Sequence, residues 1–389
     1  MIVTSTDREL VPRPDDIGRV GTLLRLFPVT AILGPRQSGK TTLARMMGGD
    51  YYLDLEDPAD AMRLESPQIA FERLEGLIVI DEVQRMPSLF PLLRTIVDST
   101  PTKRFLILGS ASPSLVRWGS ESLAGRIGFH QLGGLRIPDV GASSLYTLWM
   151  RGGFPRSFLA SSEEESVLWR ENFVRTFLER DIPSFGIKIP AMTLRRFWTM
   201  LAHFHGQIVN FSEIARSFGV SDMAVRRYLE ILQGSYMIRL LAPWHANIAK
   251  RTVKRPKLYF RDSGLFHCLL SLRSGSEVEN HPKLGASWEG FAVEAVVRST
   301  GKDDNSLFFW ATHTGAEVDL FWIEGGKMWA VECKYVDAPR LTKSMVSACA
   351  DLALEHLWVV YPGKKRYRLS ERVSALPITE VGYRWSYST

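Results

Sequence analysis

The sequence predicts an α/β protein that begins with a parallel β-sheet and ends with a second α/β domain. From Val29 to about Gly134, apolar runs such as VTAIL, YYLDL, LIVID and FLILGS alternate with segments of helical apolar spacing. Such continuous apolar runs are typical of strands that helices cover on both faces of a sheet. A glycine-rich loop follows the first run, and strand patterns return after about Ala246. These observations place one α/β domain over residues 1–134 and another over residues 246–389.

Length and composition indicate a globular, cytoplasmic protein. A chain of 389 residues is long enough for roughly two to four domains, and 45% hydrophobic with 23% charged residues argues against disorder. The three cysteines lack CxxC spacing, and the N-terminal segment lacks signal-peptide features. Because no apolar run reaches the roughly 18 residues that span a bilayer, we expect no membrane partner. The net charge of +6 permits a DNA partner without indicating one.

The middle of the chain carries helical patterns. Residues 135–205 are predicted to form a helical, lid-like region with stretches such as EESVLWRENFVRTFLERDI, which Pro183 and Gly186 end. Residues 206–245 suggest two short helices separated at Gly219, with Ser221 as the N-cap of the second. This pattern predicts a winged helix-turn-helix. Its predicted apolar face consists of Phe211, Ile214, Ala215, Phe218, Val220, Val225, Leu229 and Leu232.

The helix-turn-helix leaves two functions open. Arg226 and Arg227 lie on the outward side of the second helix, where they would meet DNA in a major groove. Two arginines do not make a strong basic stripe, so a rigid connector that touches no DNA is equally compatible. The basic run KRTVKRPK, Lys250 to Lys257, is predicted as a linker or as the wing.

A phosphate-binding loop is the strongest motif in the chain. Gly34, Gly39, Lys40 and Thr41 fit the pattern G-x-x-x-x-G-K-[ST], with a predicted strand before the loop and a helix after it. The glycines let backbone N–H groups wrap the phosphates, Lys40 would reach the β and γ phosphates, and Thr41 would bind Mg²⁺. ATP and Mg²⁺ are therefore the predicted cofactors. The predicted nucleotide-binding residues are Gly34, Pro35, Arg36, Gln37, Ser38, Gly39, Lys40, Thr41 and Thr42.

Two further strand ends complete a predicted hydrolysis site. The apolar strand in GLIVIDEVQ ends in Asp81 and Glu82, so that one carboxylate would hold the Mg²⁺ shell and the next would polarise an attacking water. The strand RFLILGS ends in Ser110, a polar residue suited to orient that water. The alternatives are solvated acids that cap a strand and a serine in an ordinary turn.

The order of phosphate loop, acidic strand and polar-ended strand resembles the AAA+ class of P-loop ATPases. The segments GPRQSGKTTL, IDEVQ, GSASPSLVRWGSESLAGR, GGFP and FLERDI are similar to a prokaryotic AAA-type ATPase family that carries a C-terminal domain of unknown function. This resemblance covers nearly the whole chain and implies ATP hydrolysis. It also implies that Arg126 acts as an arginine finger on a neighbouring subunit, and hence a homo-oligomer such as a ring. The alternative for Arg126 is a surface ion pair.

The stretch GAEVDLFWIEGGKMWAVECKY predicts two strands joined by a hairpin turn at EGG. Because alternate residues of a strand share a face, Glu317 and Asp319 point one way on the first strand. Glu332 and Lys334 likewise share a face of the second strand. Carboxylates beside a lysine suit metal-dependent phosphodiester cleavage, in which Asp319 and Glu332 would hold Mg²⁺ and Lys334 would position or activate water.

The D…ExK spacing resembles the core of the PD-(D/E)xK nuclease superfamily, which has the restriction-endonuclease-like fold. Glu289, in the preceding helix WEGFAVEA, matches an additional acidic position of that superfamily and is an implied metal ligand. Two residues depart from the pattern: Val318 precedes Asp319 where proline is frequent, and Cys333 replaces the usual apolar residue. A buried free cysteine behaves as a small hydrophobe, so the second departure is mild. The alternatives are an exposed Glu–Lys pair of a hairpin and a nuclease-like fold that does not cleave.

Two functions of different classes follow. In the first, ATP turnover is coupled to action on DNA through the helix-turn-helix and the nuclease-like domain. In the second, the ATP state controls assembly or partner binding, and the C-terminal domain is a catalytically inactive protein-interaction module. The first predicts salt-sensitive DNA binding and stimulation of the ATPase by DNA, whereas the second predicts neither. A third function, remodelling of a protein substrate, would need an aromatic pore loop, which we do not identify in the sequence.

Overall fold

The structure, a computed structural model, describes residues 10–110, 119, 121–184, 189–244, 255–312 and 315–382. Parts of the sequence predictions lie outside these residues: the segment ASPSLVRW of the family resemblance, Gly186, and most of the run KRTVKRPK. The chain forms two compact units. The first contains residues 1–135, 154–159 and 234–236, and the second contains residues 136–153, 160–233 and 237–389. The four-part division expected from the sequence stays a prediction.

Strands and helices alternate in the first part of the chain and again in the last. The strands are β1 Val29–Gly34, β2 Tyr51–Asp54, β3 Leu77–Asp81, β4 Arg104–Ser110, β5 Ile127–Gln131, β6 Gln207–Ile208, β7 Ile238–Pro243, β8 Lys257–Phe260, β9 Leu307–Ala311, β10 Glu317–Glu324, β11 Lys327–Cys333, β12 His356–Tyr361, β13 Tyr367–Arg368 and β14 Val373–Pro377. The α-helices are α1 Pro14–Leu26, α2 Lys40–Met46, α3 Pro58–Arg63, α4 Pro67–Glu72, α5 Leu89–Ser99, α6 Ile137–Val140, α7 Leu145–Arg151, α8 Pro155–Phe158, α9 Glu163–Thr176, α10 Ile182–Ser184, α11 Ala191–His203, α12 Phe211–Phe218, α13 Asp222–Gly234, α14 Ser263–Leu269, α15 Gly275–Glu279, α16 Leu284–Thr300 and α17 Lys343–Asp351. A π-helix, Phe177–Asp181, joins α9 to α10.

The first unit is built on a five-stranded parallel sheet in the order β2-β3-β4-β1-β5. Its first four strands are the four apolar runs of the sequence, so the predicted parallel α/β architecture is confirmed here. Strand β5 was not predicted from the sequence. The inward residues of β5 alternate with exposed ones, which gives this edge strand no continuous apolar run.

Apolar cores cover both faces of this sheet. In β4, Phe105 and Ile107 pack into one core, whereas Leu106 and Leu108 pack into the other. Alternate side chains of a strand point to opposite faces, so a strand buried on both sides is mostly apolar. Asp81 and Ser110 are the last residues of the central strands β3 and β4.

The second unit contains a nine-stranded mixed sheet in the order β13-β14-β12-β11-β10-β9-β7-β8-β6. Strands β9, β10 and β11 are antiparallel neighbours, and β12 and β14 continue the sheet in parallel with β11. Helix α16 precedes β9, and α17 connects β11 to β12. Met345 and Ala348 of α17 pack in a core with sheet residues such as Phe321 and Val359. The strand patterns that return after about Ala246 correspond to β8 to β12, and the two strands of the predicted hairpin are β10 and β11.

The hairpin between β10 and β11 has the predicted position. Glu324 pairs with Lys327 across a two-residue turn made by Gly325 and Gly326. Both glycines have positive φ, 58° and 75°. This backbone conformation is that of the type I′ turns whose twist matches antiparallel strands, and it favours glycine at both positions.

Helices α12 and α13 meet at Gly219, which ends α12 with a φ of 74°. Ser221 caps the start of α13 because its hydroxyl accepts a hydrogen bond from the N–H of Ala224 at 3.2 Å. Arg226 and Arg227 are exposed on α13, and the Arg226 guanidinium lies 4.6 Å from the centre of the Phe211 ring. The antiparallel strands β6, β8 and β7 flank the two helices in the chain. Searched over the described residues, no helix is long and apolar enough to cross a membrane.

A buried histidine ties three elements of the second unit together. The N–H of Phe260 donates to Nδ1 of His205 at 2.9 Å, and Nε2 lies 3.0 Å from the carbonyl oxygen of Ala286. This pattern fits the neutral ring with its proton on Nε2. Burial lowers the pKa of His205 to about 3, because a charged ring would be removed from water.

Acidification should destabilise the fold through His205. Its pKa lies near 3 in the folded chain and near 6.5 when unfolded, so the unfolded state binds more protons once the pH falls below about 6.5. Between pH 7 and pH 5 this histidine should lower the free energy of unfolding by about 2 kcal/mol. The stabilisation is present above the unfolded pKa and is lost as the pH falls toward the folded pKa.

The measurement is urea unfolding at pH 7 and pH 5. His205→Gln should flatten the pH dependence, whereas His203→Gln, at an exposed position two residues away, should keep it. Equal pH dependence in both variants would contradict the assignment.

Candidate nucleotide site and carboxylate cluster

Three central strands of the first sheet end together at one edge. Gly34, the last residue of β1, pairs with Ser110, the last residue of β4. Asp81 ends the neighbouring strand β3. Because the strands are parallel, their carboxyl ends place the predicted loop, carboxylate and serine side by side. Ligands of open α/β sheets characteristically bind at this edge.

The loop from Gly34 to Lys40 has a fixed backbone. A Cβ on Gly34 would lie 2.1 Å from the carbonyl oxygen of Leu132, so only glycine fits there. Gln37 and Gly39 have positive φ, 63° and 96°. The Lys40 Nζ donates hydrogen bonds to the carbonyl oxygens of Gly34 at 3.1 Å and Pro35 at 2.9 Å. The loop therefore holds its own lysine over the space that it encloses.

The two predicted magnesium ligands touch each other. The Thr41 hydroxyl donates to Oδ2 of Asp81 at 2.7 Å, and the hydroxyl of Tyr52 donates to the same oxygen. Asp81 is buried, with 3% of its surface exposed. A hydroxyl and a carboxylate are oxygen donors suited to Mg²⁺, so these residues fit the ion that the loop motif implies. Tyr52 was not identified from the sequence; it reaches Asp81 from the neighbouring strand β2.

Glu82 begins the turn after β3 in the left-handed conformation, with a φ of 54°. Its N–H donates to Oδ1 of Asp81 at 2.8 Å, and Gln84 Nε2 donates to its carboxylate. Burial raises the pKa of Glu82, and the nearby cations Lys40 and Arg36 only partly oppose this effect. A carboxylate with a raised pKa is suited to accept a proton from water near neutral pH.

Two serine hydroxyls at this edge are buried without a partner. Ser38 lies in the loop, and Ser110 ends β4. The Oγ atoms of both are inaccessible and make no hydrogen bond within the described part of the chain. Buried hydroxyls normally find a partner, so these two atoms are available to a ligand bound at the edge.

Arg126 lies at the opposite end of the strands, where β1 begins. Its carbonyl oxygen accepts a hydrogen bond from the N–H of Val29, the first residue of β1. Strand β1 alone separates it from the loop by roughly 17 Å, counted at about 3.3 Å per residue. Its guanidinium makes two hydrogen bonds with the Asp98 carboxylate, at 2.5 Å and 3.0 Å, on the protein surface. The structure thus shows the surface ion pair that the sequence left open, and Arg126 is far from the loop of its own subunit.

In the second unit, the β10–β11 pairing brings two predicted carboxylates together. Leu320 pairs with Val331, so Asp319 and Glu332 are the next residues along the two strands. The N–H of Cys333 donates to Oδ2 of Asp319 at 2.9 Å. A register shift against β9 falls between Val318 and Phe321, and bulges of this kind re-aim side chains. Asp319 and Glu332 are both buried.

Lys257 was not identified as a site residue from the sequence. It is the last residue of the run KRTVKRPK and the first residue of β8, and it is buried. Its Nζ lies 2.8 Å from Oε1 of Glu289 and 2.9 Å from Oδ1 of Asp319. The same amine also contacts the Glu317 carboxylate. We call Lys257, Glu289, Glu317, Asp319, Glu332 and Lys334 the carboxylate cluster.

The remaining members of the carboxylate cluster are also paired. The Lys334 Nζ lies 2.7 Å from Oε1 of Glu332, whose Oε2 is buried without a partner among the described residues. The Tyr259 hydroxyl donates to Oε1 of Glu289 at 2.6 Å. Burial and the charge of Asp319 raise the pKa of Glu289 to about 7 and that of Glu332 to about 8.

The carboxylate cluster does not fit a bound metal as it is arranged. The lysine amine occupies oxygens of Glu289, Asp319 and Glu317 that a cation would need. Within the described ranges, no group of three or more His, Cys, Asp and Glu side chains is arranged to hold a metal ion. The metal roles expected of Glu289, Asp319 and Glu332, and the catalytic role of Lys334, stay predictions.

Comparison with known proteins gives a coherent picture. Residues 26–140 match the family described as AAA domain. Residues 142–276 and 284–381 match two families described as domains of unknown function, DUF8612 and DUF4143. Uncharacterised proteins of Mycobacterium tuberculosis and Mycobacterium bovis are each 47% identical over 376 residues, which cover 96% of this chain and 85% of the relative. The Walker-type ATPase of Pyrococcus abyssi shares the fold, with a TM-score of 0.50 and 14% identity over 67% of this chain and 96% of its own.

The bond between Tyr52 and Asp81 should contribute measurably to stability. Burial and the carboxylate raise the pKa of Tyr52, so its hydroxyl stays protonated as a donor. Tyr52→Phe removes one of the hydrogen bonds to this buried carboxylate and should lower the free energy of unfolding by about 1.5 kcal/mol. Urea unfolding measures the change. Tyr51→Phe on the exposed side of the same strand is the control, expected within about 0.5 kcal/mol of the parent. Equal effects of the two changes on the free energy of unfolding would show that the Tyr52–Asp81 hydrogen bond does not contribute to stability.

Proposed function

We propose that this chain, which belongs to the same protein family as the two mycobacterial relatives, is an AAA-type ATPase that binds and hydrolyses ATP in its first unit. One observation carries the proposal. The phosphate-binding loop, its lysine and the hydrogen-bonded pair of Thr41 and Asp81 lie together at the carboxyl edge of the sheet. The AAA domain match over residues 26–140 supports the same conclusion.

Each residue of the site has a role in this reaction. The loop N–H groups surround the phosphates, and the Lys40 amine leaves its two carbonyl partners to pair with the β and γ phosphates. Thr41 and Asp81 would hold Mg²⁺, which would neutralise charge on the phosphates. Glu82 accepts the proton of the attacking water. Ser110, whose hydroxyl has no partner among the described residues, orients that water.

Arg126 acts, in this proposal, on the nucleotide of a neighbouring subunit. Arg126 lies at the ends of the strands far from the phosphate-binding loop of its own subunit. This position supports action on the nucleotide of a neighbouring subunit. To reach the next site the guanidinium exchanges Asp98 for a phosphate, and both side chains are exposed enough to separate. A homo-oligomer, such as a ring, is therefore part of the proposal.

The first test is an ATPase assay on the full chain with three variants. Lys40→Ala should lose ATP binding and turnover together. Glu82→Gln should keep ATP binding but lower turnover by about 10²- to 10⁴-fold, because only the proton acceptor is removed. Arg126→Ala should lower turnover without weakening binding.

Arg175→Ala is the matched control, since it removes an exposed arginine that is paired with Glu179 on the π-helix after α9. It should leave turnover unchanged. If the wild-type chain hydrolyses no ATP under any condition, the ATPase proposal fails. Unchanged turnover per subunit in Arg126→Ala would remove only the proposed action between subunits.

For the target of this ATPase we propose DNA, bound through a winged helix-turn-helix formed by α12 and α13. The support is the exposed pair Arg226 and Arg227 on α13 and the strands β7 and β8 that follow in the position of a wing. In the fullest form of this proposal, the C-terminal residues form a nuclease-like domain through which the chain acts on the DNA. The order of α16, β9, β10, β11, α17 and β12, with Asp319 and Glu332 adjacent, supports the nuclease-like fold.

A second candidate is a nucleotide-dependent switch whose C-terminal domain does not cleave and instead binds a protein partner. The contacts of Lys257 favour this candidate for the last part of the chain. A metal-dependent nuclease needs its carboxylate oxygens free for the ion, whereas here Lys257 is bonded to Glu289 and Asp319. The two candidates agree on the ATPase and differ in whether DNA is bound and cut.

DNA distinguishes the two candidates. If α13 binds DNA, Arg226→Ala with Arg227→Ala should weaken binding and reduce the salt slope of log K by about 0.9 for each phosphate that the protein no longer neutralises. The wild-type ATPase should be stimulated by DNA and the double variant should not. Fluorescence anisotropy over a salt series and the ATPase assay give the readouts, with Arg175→Ala again as control. If the wild-type chain does not bind DNA, the nucleotide-dependent switch is the remaining candidate. If the wild-type chain cuts DNA and Asp319→Ala abolishes the cutting, the C-terminal domain is a nuclease.

A further inference from the structure

A lysine amine lies at the centre of the carboxylate cluster. Lys257 Nζ is within ion-pair distance of Glu289, Glu317 and Asp319, and its side chain is only 4% exposed. An ammonium group has three N–H donors and no acceptor. Three carboxylates therefore saturate Lys257, and a buried charge of this kind is stable only when it is paired in this way.

Each oxygen of Asp319 already accepts a hydrogen bond. Oδ1 accepts from Lys257, and Oδ2 accepts from the N–H of Cys333 at 2.9 Å. The first of these bonds comes from the first residue of β8 and the second from the paired strand β11. Both oxygens of the carboxylate are therefore already hydrogen-bonded, which holds it in one orientation.

Two ammonium groups already supply positive charge to the carboxylate cluster. The cluster contains four carboxyl groups, on Glu289, Glu317, Asp319 and Glu332, and two lysines, Lys257 and Lys334. A divalent cation bound to the same oxygens as Lys257 would be a second positive centre close to the ammonium, and the repulsion between the two is unfavourable in a poorly hydrated site.

We propose that the ammonium of Lys257 stands in for a divalent cation among the carboxylates of the second unit, so that the cluster is complete without metal and removal of this one amine creates a divalent-cation site. The new site would use the oxygens that Lys257 releases on Glu289 and Asp319, together with Oε2 of Glu332, which has no partner among the described residues. Hard oxygen ligands of this kind select Mg²⁺ or Mn²⁺. The inference does not rest on the ATPase proposal, because the residues involved all belong to the second unit.

The experiment measures Mn²⁺ binding to the full, nucleotide-free chain by calorimetry and by electron paramagnetic resonance. The wild-type chain and Asp319→Asn should bind the same amount of Mn²⁺, because Asp319 holds none. Lys257→Met should bind one additional Mn²⁺ per chain, at least about tenfold more tightly than the parent binds any at this cluster. The double variant Lys257→Met with Asp319→Asn should lose that ion.

Lys327→Met is the matched control, since it removes an exposed lysine that is paired with Glu355 on the same sheet. It should bind Mn²⁺ as the parent does. If Lys257→Met does not fold by circular dichroism, Lys257→Gln replaces it, because the amide keeps two donors without the charge.

Two results would overturn the inference. One is a wild-type Mn²⁺ ion that Asp319→Asn abolishes, and the other is a folded Lys257 variant that gains no ion. The comparison of the wild-type chain with Asp319→Asn tests whether the native cluster holds a metal ion even if neither Lys257 variant folds. A loss of ATP hydrolysis in any of these proteins would concern the first unit and leave the inference intact.

Discussion

A charged side chain buried among apolar residues must find its counterpart inside the protein, and both sites of this chain are organised by that constraint. The alternative, an isolated charge in a medium of low polarity, costs several kcal/mol or more. In the first unit, Lys40 is bonded to carbonyl oxygens and Asp81 to the hydroxyls of Thr41 and Tyr52. In the second, Lys257 is surrounded by carboxylates.

The two lysines differ in what their partners allow. Carbonyl dipoles satisfy Lys40 without neutralising it, so a phosphate can replace them at a net gain in charge pairing. Three carboxyl groups satisfy Lys257, and a ligand would have to outcompete these ion pairs in a buried place. The first arrangement is ready to bind an anion, whereas the second is already complete. This difference gives a physical reason to expect that Lys40 exchanges its partners for a ligand in the first unit and that Lys257 keeps its partners in the second.

Much of the fold could be predicted from the sequence, and the limits have physical causes. The buried strands β1, β3 and β4 were predictable because both of their faces are covered and the residues between their ends are almost all apolar. Strand β5 escaped because its exposed alternate residues weaken the pattern. The site chemistry was predictable where one local motif contains it, as with Lys40 and Thr41 in the loop. The role of Lys257 depends instead on Glu289 of α16 and Asp319 of β10, which are distant in sequence, and a basic run normally stays in water. Only the register of the sheet shows that these groups meet.

The turn of Gly325 and Gly326 has an effect far from its own position. A two-residue connection fixes which residue of β10 faces which residue of β11, and a slip of one residue would exchange the two faces of a strand. Asp319 and Glu332 lie about five residues from the turn on either strand, or roughly 17 Å away. A longer loop would permit other pairings, in which Leu320 would take the place of the acid. The left-handed backbone conformation of two glycines thus determines which side chains meet at a distant site. Insertions at this surface turn are therefore constrained by the interior of the protein.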